Sequence, residues 1–281
     1  MPENNEGRCF TTSDNCSIEY KLRPARNPGA KRLVLIHSLA LDGSIWDGVA
    51  RELAGEVELL TYDCRGHGQS ERVPGPFTTD LFASDLAELL DQLNWPAAAV
   101  AGCSMGGCVA MAFAGLNPAR TTALGLIDTT AWYGESAPKD WRERAANARS
   151  KGFQGMIEFQ LKRWFSERFR KGHPEVVRQL SEVFLANDLE CYAASCQMLG
   201  EADLRPHLGA IRVPTAVIVG EEDDATPPAM SKFLHNAIPG STLSVLPGGK
   251  HLTPVEFPAQ IAAQLLELVR RPGAQEAAAE A

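Results

Sequence analysis

The chain has 281 residues, and its 27 Lys and Arg against 35 Asp and Glu give a formal net charge of −8. This length suits one large α/β domain or a domain that carries an insertion, and hydrophobic residues make up an ordinary 44% of it. The composition excludes collagen-like, coiled-coil and wholly disordered chains, and the acidic balance excludes a general basic surface for nucleic acid.

The seven cysteines and the amino terminus indicate a reducing compartment. No two cysteines have C-x-x-C spacing and no histidine pair flanks them at zinc-ligand spacing, so we expect free thiols and no metal site. The first ten residues lack the apolar core of a signal peptide. The uncharged stretch 93–119 is long enough to cross a bilayer, but its two prolines and its glycine cluster divide it into strand, turn and helix. We therefore expect a cytoplasmic protein that does not contact membranes.

Short apolar runs alternate with helix-period segments in the first half of the chain. Strands are predicted at 9–14, 17–23, 33–38, 57–62, 97–103 and 123–128, and helices near 45–54, 79–93 and 105–115. The first two strands lack a helix between them, having instead a turn at Asp14-Asn15, so the sheet should begin with an antiparallel edge. The remaining alternation predicts a mostly parallel sheet with right-handed crossovers.

Between residues 133 and 205 the pattern changes to helices alone. This stretch is charged and aromatic, and breaks at 152, 172–174 and 187–188 divide it into four or five helices. The alternation then returns, with strands at 214–220 and 241–246 and helices at 228–238 and 254–270. We therefore predict an α/β core formed by 1–132 and 206–281, a helical cap at 133–205, and a disordered tail at 272–281.

The strongest chemical signal is Gly102-Cys103-Ser104-Met105-Gly106, which has the form G-x-S-x-G. It lies between a predicted strand and a predicted helix, which is the context of a nucleophile elbow. So tight a turn leaves no room for side chains beside it, and it lifts the serine oxygen clear of the sheet. The N–H of Met105 and the helix N-terminus then face the reacting centre. We predict that Ser104 is a nucleophile and that Met105 contributes to an oxyanion hole.

A nucleophilic serine needs a base, and the base needs an acid that orients it. His251 follows the last predicted strand and precedes the last helix, where its side chain would reach the elbow. The acid is expected after the preceding strand, and Asp223 is preferred because G-x-x-D-x-x-T-P is the usual form of such a loop. Glu222 and Asp224 are close alternatives, and Asp128 at the end of another strand is a further one.

Three other positions near strand ends have expected roles. In proteins with a nucleophile elbow, the loop after an earlier parallel strand supplies a second oxyanion donor, which here would be the N–H of Leu39. The loop 62–70 is expected to organise the site from behind, with His67 outside the reaction itself. Cys103 precedes the nucleophile on a strand whose side chains alternate, so its thiol should point away from the site.

These motifs make the chain resemble an α/β-hydrolase, and from residue 33 to the last helix it resembles the 3-oxoadipate enol-lactonase group. The matching strings are A-G-x-S-M-G-G at the elbow, S-L-x-x-D at 38–42, D-x-R-G-H-G-x-S at 63–70, Arg163-Trp164-Phe165, Tyr192-Ala193-Ala194, Asp203-Leu204-Arg205, I-R-V-P at 211–214, and Asp223 followed by T-P-P at 226–228. Two residues depart from the group: Cys103 stands where it usually has Leu, and His37 where it often has Asn.

The resemblance implies the α/β-hydrolase fold, with a mostly parallel sheet, flanking helices and an inserted helical cap. It implies a cofactor-free enzyme that opens a small, carboxylate-bearing lactone in the catabolism of aromatic compounds. On the same triad a carboxylesterase, an acyl-homoserine lactonase, a C–C bond hydrolase or a haloperoxidase side activity is an alternative, and a non-catalytic ligand receptor is another. The expected partner is an anionic small molecule, and a homo-oligomer is compatible with the sequence.

Substrate contacts are expected from Ser38, Trp132, Arg163, Trp164 and Tyr192. The segment 162–171 carries five basic residues and one acid, which allows two interpretations. In the first it is a solvated helix face above a buried stripe of Leu161, Trp164, Phe165 and Phe169. In the second, Arg163 beside Trp164 faces the pocket and pairs with a substrate carboxylate through two parallel hydrogen bonds.

Overall fold

Eight strands form one sheet. They are β1 (Arg8–Thr11), β2 (Ser17–Arg23), β3 (Arg32–Ile36), β4 (Glu58–Tyr62), β5 (Ala98–Cys103), β6 (Thr121–Ile127), β7 (Thr215–Gly220) and β8 (Thr242–Leu246). The computed structural model describes residues 7–271, so the tail predicted at 272–281 lies outside the described residues. The strand order is β1-β2-β4-β3-β5-β6-β7-β8, in which the pairs of β2 are antiparallel and those from β4 to β8 are parallel. The predicted fold class, including its antiparallel edge, is confirmed.

Helices cover the sheet. Those of the core are α1 (Asp47–Glu52), α2 (Thr79–Gln92), α3 (Met105–Leu116), α9 (Arg205–Leu208), α10 (Pro228–Ala237), α11 (Thr253–Glu256) and α12 (Pro258–Arg270). The prediction of a single helix over 254–270 was wrong. Proline has no N–H to continue the ladder and disfavours the helical conformation of the residue before it, so Phe257 has a φ of −132° and α12 starts afresh at Pro258.

The segment 133–205 holds five helices in the described structure. They are α4 (Ala137–Lys151), α5 (Ile157–Trp164), α6 (Glu167–Gly172), α7 (Pro174–Leu185) and α8 (Leu189–Glu201). One break was not foreseen: Phe165 is extended, and the Ser166 side chain accepts a hydrogen bond from Phe169 N to start α6. The basic segment 162–171 is therefore not one helix. The predicted apolar stripe is divided between α5 and α6, because Ser166 caps a new helix although the apolar residues continue at helical spacing.

The strand order reverses between β3 and β5, which creates the crevice in which open α/β sheets hold their ligands. Every residue of β5 is buried, as are ten of the twelve residues of α3 that follows it. The apolar stretch 93–119 is thus a sheet strand and a packed helix, and no helix within residues 7–271 is long and apolar enough to cross a membrane. All seven cysteines are free, and six of them are buried.

Candidate active site

Ser104 occupies the sharp turn between β5 and α3. Its φ is +54°, a conformation that costs energy for a residue with a side chain and is kept only where the surroundings fix it. Ser104 N donates to Ile127 O at 2.9 Å, and Ser104 O accepts from Gly107 N at 2.9 Å and from the hydroxyl of Thr129 at 2.7 Å. These bonds hold the side chain at the carboxyl edge of the sheet, as the elbow motif predicts.

The flanking glycines leave room for this turn. A Cβ at position 102 would lie 2.0 Å from Gly106 O, and one at position 106 would lie 2.2 Å from Ile36 O. Real Cβ atoms do not approach backbone oxygens so closely. The first glycine of G-x-S-x-G is therefore required by close contacts within the elbow, and the second by the close approach of the elbow to the backbone at the end of β3.

Ser104, His251 and Asp223 form a continuous chain of hydrogen bonds. His251 Nε2 lies 2.9 Å from Ser104 Oγ, and His251 Nδ1 lies 2.8 Å from Asp223 Oδ2. Because the carboxylate can only accept, Nδ1 carries the proton and Nε2 accepts from the serine hydroxyl. All three residues are buried. The base and the acid thus have the arrangement that activates a serine.

Asp223 is held as a carboxylate. Its Oδ1 accepts from Ala225 N at 2.7 Å and Thr226 N at 3.0 Å, and its Oδ2 accepts from the Thr226 hydroxyl at 2.8 Å. Burial alone would raise the pKa of this carboxyl, but His251 and the Thr226 bonds hold the pKa below its ordinary value of 3.8. The group is therefore ionised at neutral pH.

The alternative acids have other partners. Asp128 is buried, and its Oδ1 accepts from Gly220 N at 3.0 Å while its Oδ2 accepts from Thr253 N and from the Thr253 hydroxyl at 2.9 and 2.7 Å. Burial, and then the charge of Asp223, raise the pKa of Asp128 well above its ordinary value. Asp128 thus joins the ends of β6, β7 and α11. Asp224 is exposed and pairs with Arg163, and Glu222 is also exposed.

Two backbone N–H groups beside the serine are free. Within residues 7–271, neither Leu39 N nor Met105 N donates a hydrogen bond. The Leu39 loop is fixed by His37, whose Nε2 accepts from Cys64 N at 2.8 Å and whose Nδ1 lies 2.8 Å from Ser38 O. An amide N–H can only donate, so Nδ1 must carry the proton and bond the carbonyl. This neutral, buried imidazole holds the loop in shape.

The loop 62–70 contacts the loops that follow β3. Asp63 accepts from Gly43 N at 2.8 Å and Gln69 N at 2.9 Å, which ties this loop to the one before α1. Arg65 Nε donates to Asp85 at 2.7 Å. His67 Nδ1 lies 3.0 Å from Arg65 O, and burial lowers the pKa of His67 to about 3. The described contacts of His67 do not include Ser104.

Cys103 lies behind the base. Its Sγ is buried and lies 3.9 Å from His251 O, and burial raises the pKa of this thiol well above its ordinary value. Cys103 is not among the described residues that line the cavity beside Ser104. A thiol that is buried, protonated and turned from the cavity is chemically inert.

A cavity of about 650 Å³ opens above Ser104. The core contributes Ser38, Leu39, Ser104, Ala225, Thr226, Met230 and His251, and the helical segment contributes Tyr133, Trp141, Arg144, Met156, Phe159, Gln160, Arg163 and Trp164 among others. Burial raises the pKa of the Tyr133 phenol well above its ordinary value of 10. Within residues 7–271, no cluster of His, Cys, Asp or Glu is arranged to hold a metal ion.

Three of the five expected substrate contacts, Ser38, Arg163 and Trp164, lie on the cavity wall, and Trp132 and Tyr192 do not. Trp132 forms an isolated bridge with Asp203, and the Arg205 guanidinium lies 3.7 Å from its ring centroid. The Tyr192 hydroxyl accepts a hydrogen bond from Arg144 Nε at 2.8 Å. Tyr192 therefore reaches the cavity only through this arginine.

The family is decided by a match to the model of the alpha/beta hydrolase fold over residues 31–258. This chain belongs to the α/β-hydrolase family. The match spans the sheet from just before β3 to the start of α12, including the whole helical segment. It covers every residue of the hydrogen-bonded chain from Ser104 to Asp223.

Among the relatives of this hydrolase, 3-oxoadipate enol-lactonase 2 of Acinetobacter baylyi is 35% identical over 226 residues, which cover 80% of this chain and 84% of that protein. The enol-lactonase from Burkholderia xenovorans LB400 superposes with a TM-score of 0.89 at 31% identity, covering 94% and 100% of the two chains. A thermophilic esterase from Thermogutta terrifontis, solved with malate bound, gives a TM-score of 0.87 at 30% identity, covering 94% and 98%.

The sequence interpretation of this hydrolase missed several cavity residues, chiefly Arg144 and Gln160. Arg144 stands three residues after Trp141 and Gln160 four residues before Trp164, and both tryptophans line the cavity. Residues at these spacings share a helix face. A polar residue on the same face as a tryptophan was therefore the available signal.

Proposed function

We propose that this protein opens a small, carboxylate-bearing lactone through a serine nucleophile, as a 3-oxoadipate enol-lactonase-like step in the breakdown of aromatic compounds. Its family and its enol-lactonase relatives make it an enzyme that hydrolyses ester or lactone bonds of a small molecule. The observation that carries the proposal is the hydrogen-bonded chain from Ser104 through His251 to Asp223, of which Ser104 and His251 line a cavity of about 650 Å³.

The geometry supports a two-stage mechanism. Ser104 Oγ attacks the lactone carbonyl while His251 Nε2 takes its proton, and Asp223 stabilises the imidazolium through Nδ1. The free N–H groups of Leu39 and Met105 bind the oxyanion of the tetrahedral intermediate. When the ring opens, His251 returns the proton to the departing enol oxygen, and this enol tautomerises to a ketone.

Water completes the reaction. His251 takes a proton from a water molecule that attacks the acyl ester of Ser104, and a second oxyanion forms at the same two N–H groups. Its collapse releases the keto acid and restores the serine hydroxyl. Each proton moves through the same imidazole, so these steps need only groups of this chain and water.

The anionic substrate is favoured by charge on the cavity wall. Arg144 and Arg163 both line the cavity in a protein of net charge −8, and of the two only Arg163 has an acidic partner among residues 7–271. Two relatives are named 3-oxoadipate enol-lactonases, and the esterase relative was solved with malate, a dicarboxylate. A carboxylesterase acting on a small acidic ester is the second candidate, favoured by the close superposition with that esterase.

The experiment is an activity screen with a matched pair of variants. Wild-type protein should react with a fluorophosphonate at Ser104 and turn over an acidic enol-lactone faster than neutral p-nitrophenyl esters. Ser104→Ala should lose both the label and turnover while keeping its fold, because the nucleophile is removed without disturbing backbone contacts. Cys103→Ser should keep both. Residual turnover above a tenth of wild type in Ser104→Ala, together with its loss in Cys103→Ser, would reject Ser104 as the nucleophile.

A further inference from the structure

Arg144 is a cation on the cavity wall without an acidic partner. Its Nε donates to the Tyr192 hydroxyl at 2.8 Å, and its guanidinium lies 5.2 Å from the ring centroid of Trp141. In the part of the chain that the structure describes, the side chain makes no ion pair, and its two terminal nitrogens donate no hydrogen bond. Its position is therefore fixed at one nitrogen while its charge and its remaining donors stay available.

Gln160 lines the same cavity and is completely buried. Neither its Nε2 nor its Oε1 has a hydrogen-bond partner among residues 7–271. Buried amides are nearly always hydrogen-bonded in proteins, and an unsatisfied one costs about 1–3 kcal/mol. A buried amide with both ends free beside a cavity indicates that a bound molecule supplies the missing partners.

Arg163, unlike Arg144, has an acidic partner in the described structure. Its Nη2 donates to Asp224 O at 3.2 Å, and its Nε lies 3.3 Å from Asp224 Oδ1. Burial, followed by the positive charge of Arg144, lowers the pKa of Arg163. The two guanidinium groups thus repel each other, and Asp224, which also lies 3.7 Å from the Lys250 ammonium group, pairs with only one of them.

The two acids on the cavity wall do not neutralise Arg144. Asp140 and Glu143 are both exposed, and Asp140 accepts a hydrogen bond from the Ser136 hydroxyl at 2.6 Å. Glu143 lies 3.8 Å from the Lys139 ammonium group. An anion entering the cavity therefore meets an uncompensated guanidinium.

We infer that Arg144 and Gln160 together bind a carboxylate of the substrate, a group separate from the carbonyl that Ser104 attacks. This inference rests on the proposed function and adds the residues that recognise the further carboxylate of its small lactone or ester substrates. The planar guanidinium presents two parallel donors to the carboxylate, and the Gln160 amide adds a third. Gln160 Oε1 accepts from a hydroxyl of the ligand or from a water molecule held with it.

The test compares an acidic ester or lactone with its neutral methyl ester, using the same substitution at two arginines. Arg144→Gln should lower kcat/KM for the acidic substrate by about 10- to 150-fold, because a hydrogen bond to a charged group is worth about 1.5–3 kcal/mol. For the methyl ester the change should stay below about threefold. Arg163→Gln is the matched control, and its effect should be similar for both substrates. Equal losses on both substrates in Arg144→Gln, or selective loss in Arg163→Gln alone, would overturn the inference.

Gln160→Glu covers the case in which Arg144→Gln does not fold. It adds a negative charge at nearly unchanged volume, so the preference for the acidic substrate should fall while the methyl ester is still hydrolysed. An unchanged preference in Gln160→Glu would also reject the inference.

A binding assay separates this inference from the proposed function. Titration calorimetry of malate or adipate into Ser104→Ala should detect binding that Arg144→Gln removes and Arg163→Gln retains. If the wild type hydrolyses no lactone or ester, the proposed function fails, and the calorimetry still decides the carboxylate site. If turnover is normal but the dicarboxylate binds equally to all variants or to none, the carboxylate site fails.

Discussion

Replacing Asp223 and Asp128 one at a time by asparagine distinguishes the acid that orients His251 from the acid that holds the fold. Both carboxylates are buried and each accepts three hydrogen bonds from backbone and hydroxyl groups. Asparagine keeps the shape of the side chain but exchanges one acceptor oxygen for a donor. The two substitutions are therefore matched in size and burial, and they differ in which neighbour meets the new NH₂ group.

In Asp223→Asn the new NH₂ group faces the imidazole. The amide oxygen stays with the N–H groups of Ala225 and Thr226, which bond Oδ1 in the wild type, so the NH₂ takes the place of Oδ2. It then donates to His251 Nδ1 and leaves the imidazole proton on Nε2, which points at Ser104. That tautomer cannot accept the serine proton. The expected loss in kcat is about 10⁴, or about 5.4 kcal/mol of transition-state stabilisation.

The substitution Asp128→Asn is expected to lower the free energy of unfolding rather than kcat. The oxygen of the new amide can keep the two donors of Thr253, and the NH₂ then faces Gly220 N, which loses its acceptor in a buried place. We expect a loss of about 2–4 kcal/mol in the free energy of unfolding, reduced by relief of the repulsion between the carboxylates of Asp128 and Asp223. The change in kcat should stay below about tenfold, because His251 keeps its partner.

The assay measures kcat per folded active site and unfolding in urea. Fluorophosphonate titration counts competent serines, so that a loss of folded Asp128→Asn protein is not mistaken for a loss of chemistry. A larger fall in kcat for Asp128→Asn than for Asp223→Asn would show that the wrong carboxylate was assigned. Equal stability of Asp128→Asn and wild type would show that the three hydrogen bonds of Asp128 do not support the fold.

Two further predictions concern stability. Burial lowers the pKa of His67 from its ordinary value of 6.5 to about 3 in the fold, so the unfolded state binds more protons than the folded state between these pH values. The contribution of His67 is therefore fully present above pH 6.5 and falls by about 1.4 kcal/mol per pH unit below it. The free energy of unfolding, measured by urea titration from pH 4 to 6, should rise less steeply with pH in His67→Asn than in the wild type. An unchanged dependence on pH would show that the lowered pKa of His67 is not its cause. Gly106→Ala should cost about 3 kcal/mol or more in unfolding free energy, because its Cβ would meet Ile36 O at 2.2 Å. Gly172→Ala, with nothing within 4 Å, should change it by less than about 0.5 kcal/mol, and similar values for both would refute the clash.

The proximity of the three residues proposed as nucleophile, base and acid could be predicted because each of them follows a strand. Ser104, Asp223 and His251 are 28 to 147 residues apart in pairs, yet each follows a strand of one parallel sheet. The carboxyl ends of parallel strands meet at one edge, so the topology alone brings these side chains together. Local periodicity was enough to predict that topology, since a buried strand and an amphipathic helix differ in their apolar spacing.

Contacts between residues far apart in the chain could not be predicted from the sequence in the same way. Arg163 was chosen among the cations of 162–171 because it stands beside Trp164, but Asp224, 61 residues away, pairs with Arg163 in the folded chain. Trp132 was expected at the cavity, but its backbone forms an isolated β-bridge with Asp203 and its ring lies against the Arg205 guanidinium, 3.7 Å from the ring centroid. Each of these outcomes depends on which loop packs against which helix, and no spacing within one helix encodes that choice.

The helical segment and the base share one structural junction. Leu252 N donates to Trp164 O at 3.1 Å and His251 N to Arg163 O at 3.4 Å, so the histidine loop satisfies carbonyls at the end of α5 that have no partner within the helix. Two residues after Trp164, Ser166 donates to Glu256 through both its N–H and its hydroxyl at 2.9 and 2.7 Å.

Because of this junction, the helix that carries Gln160 also holds the backbone of His251. A chain shortened by removal of 133–205 would lose the partners of this loop together with the cavity wall, so the placement of the base would suffer as well as selectivity. Side-chain substitutions on α4 and α5 leave these backbone bonds in place. Substrate preference in this hydrolase should therefore be changeable at Arg144 and Gln160 without loss of the chemistry at Ser104.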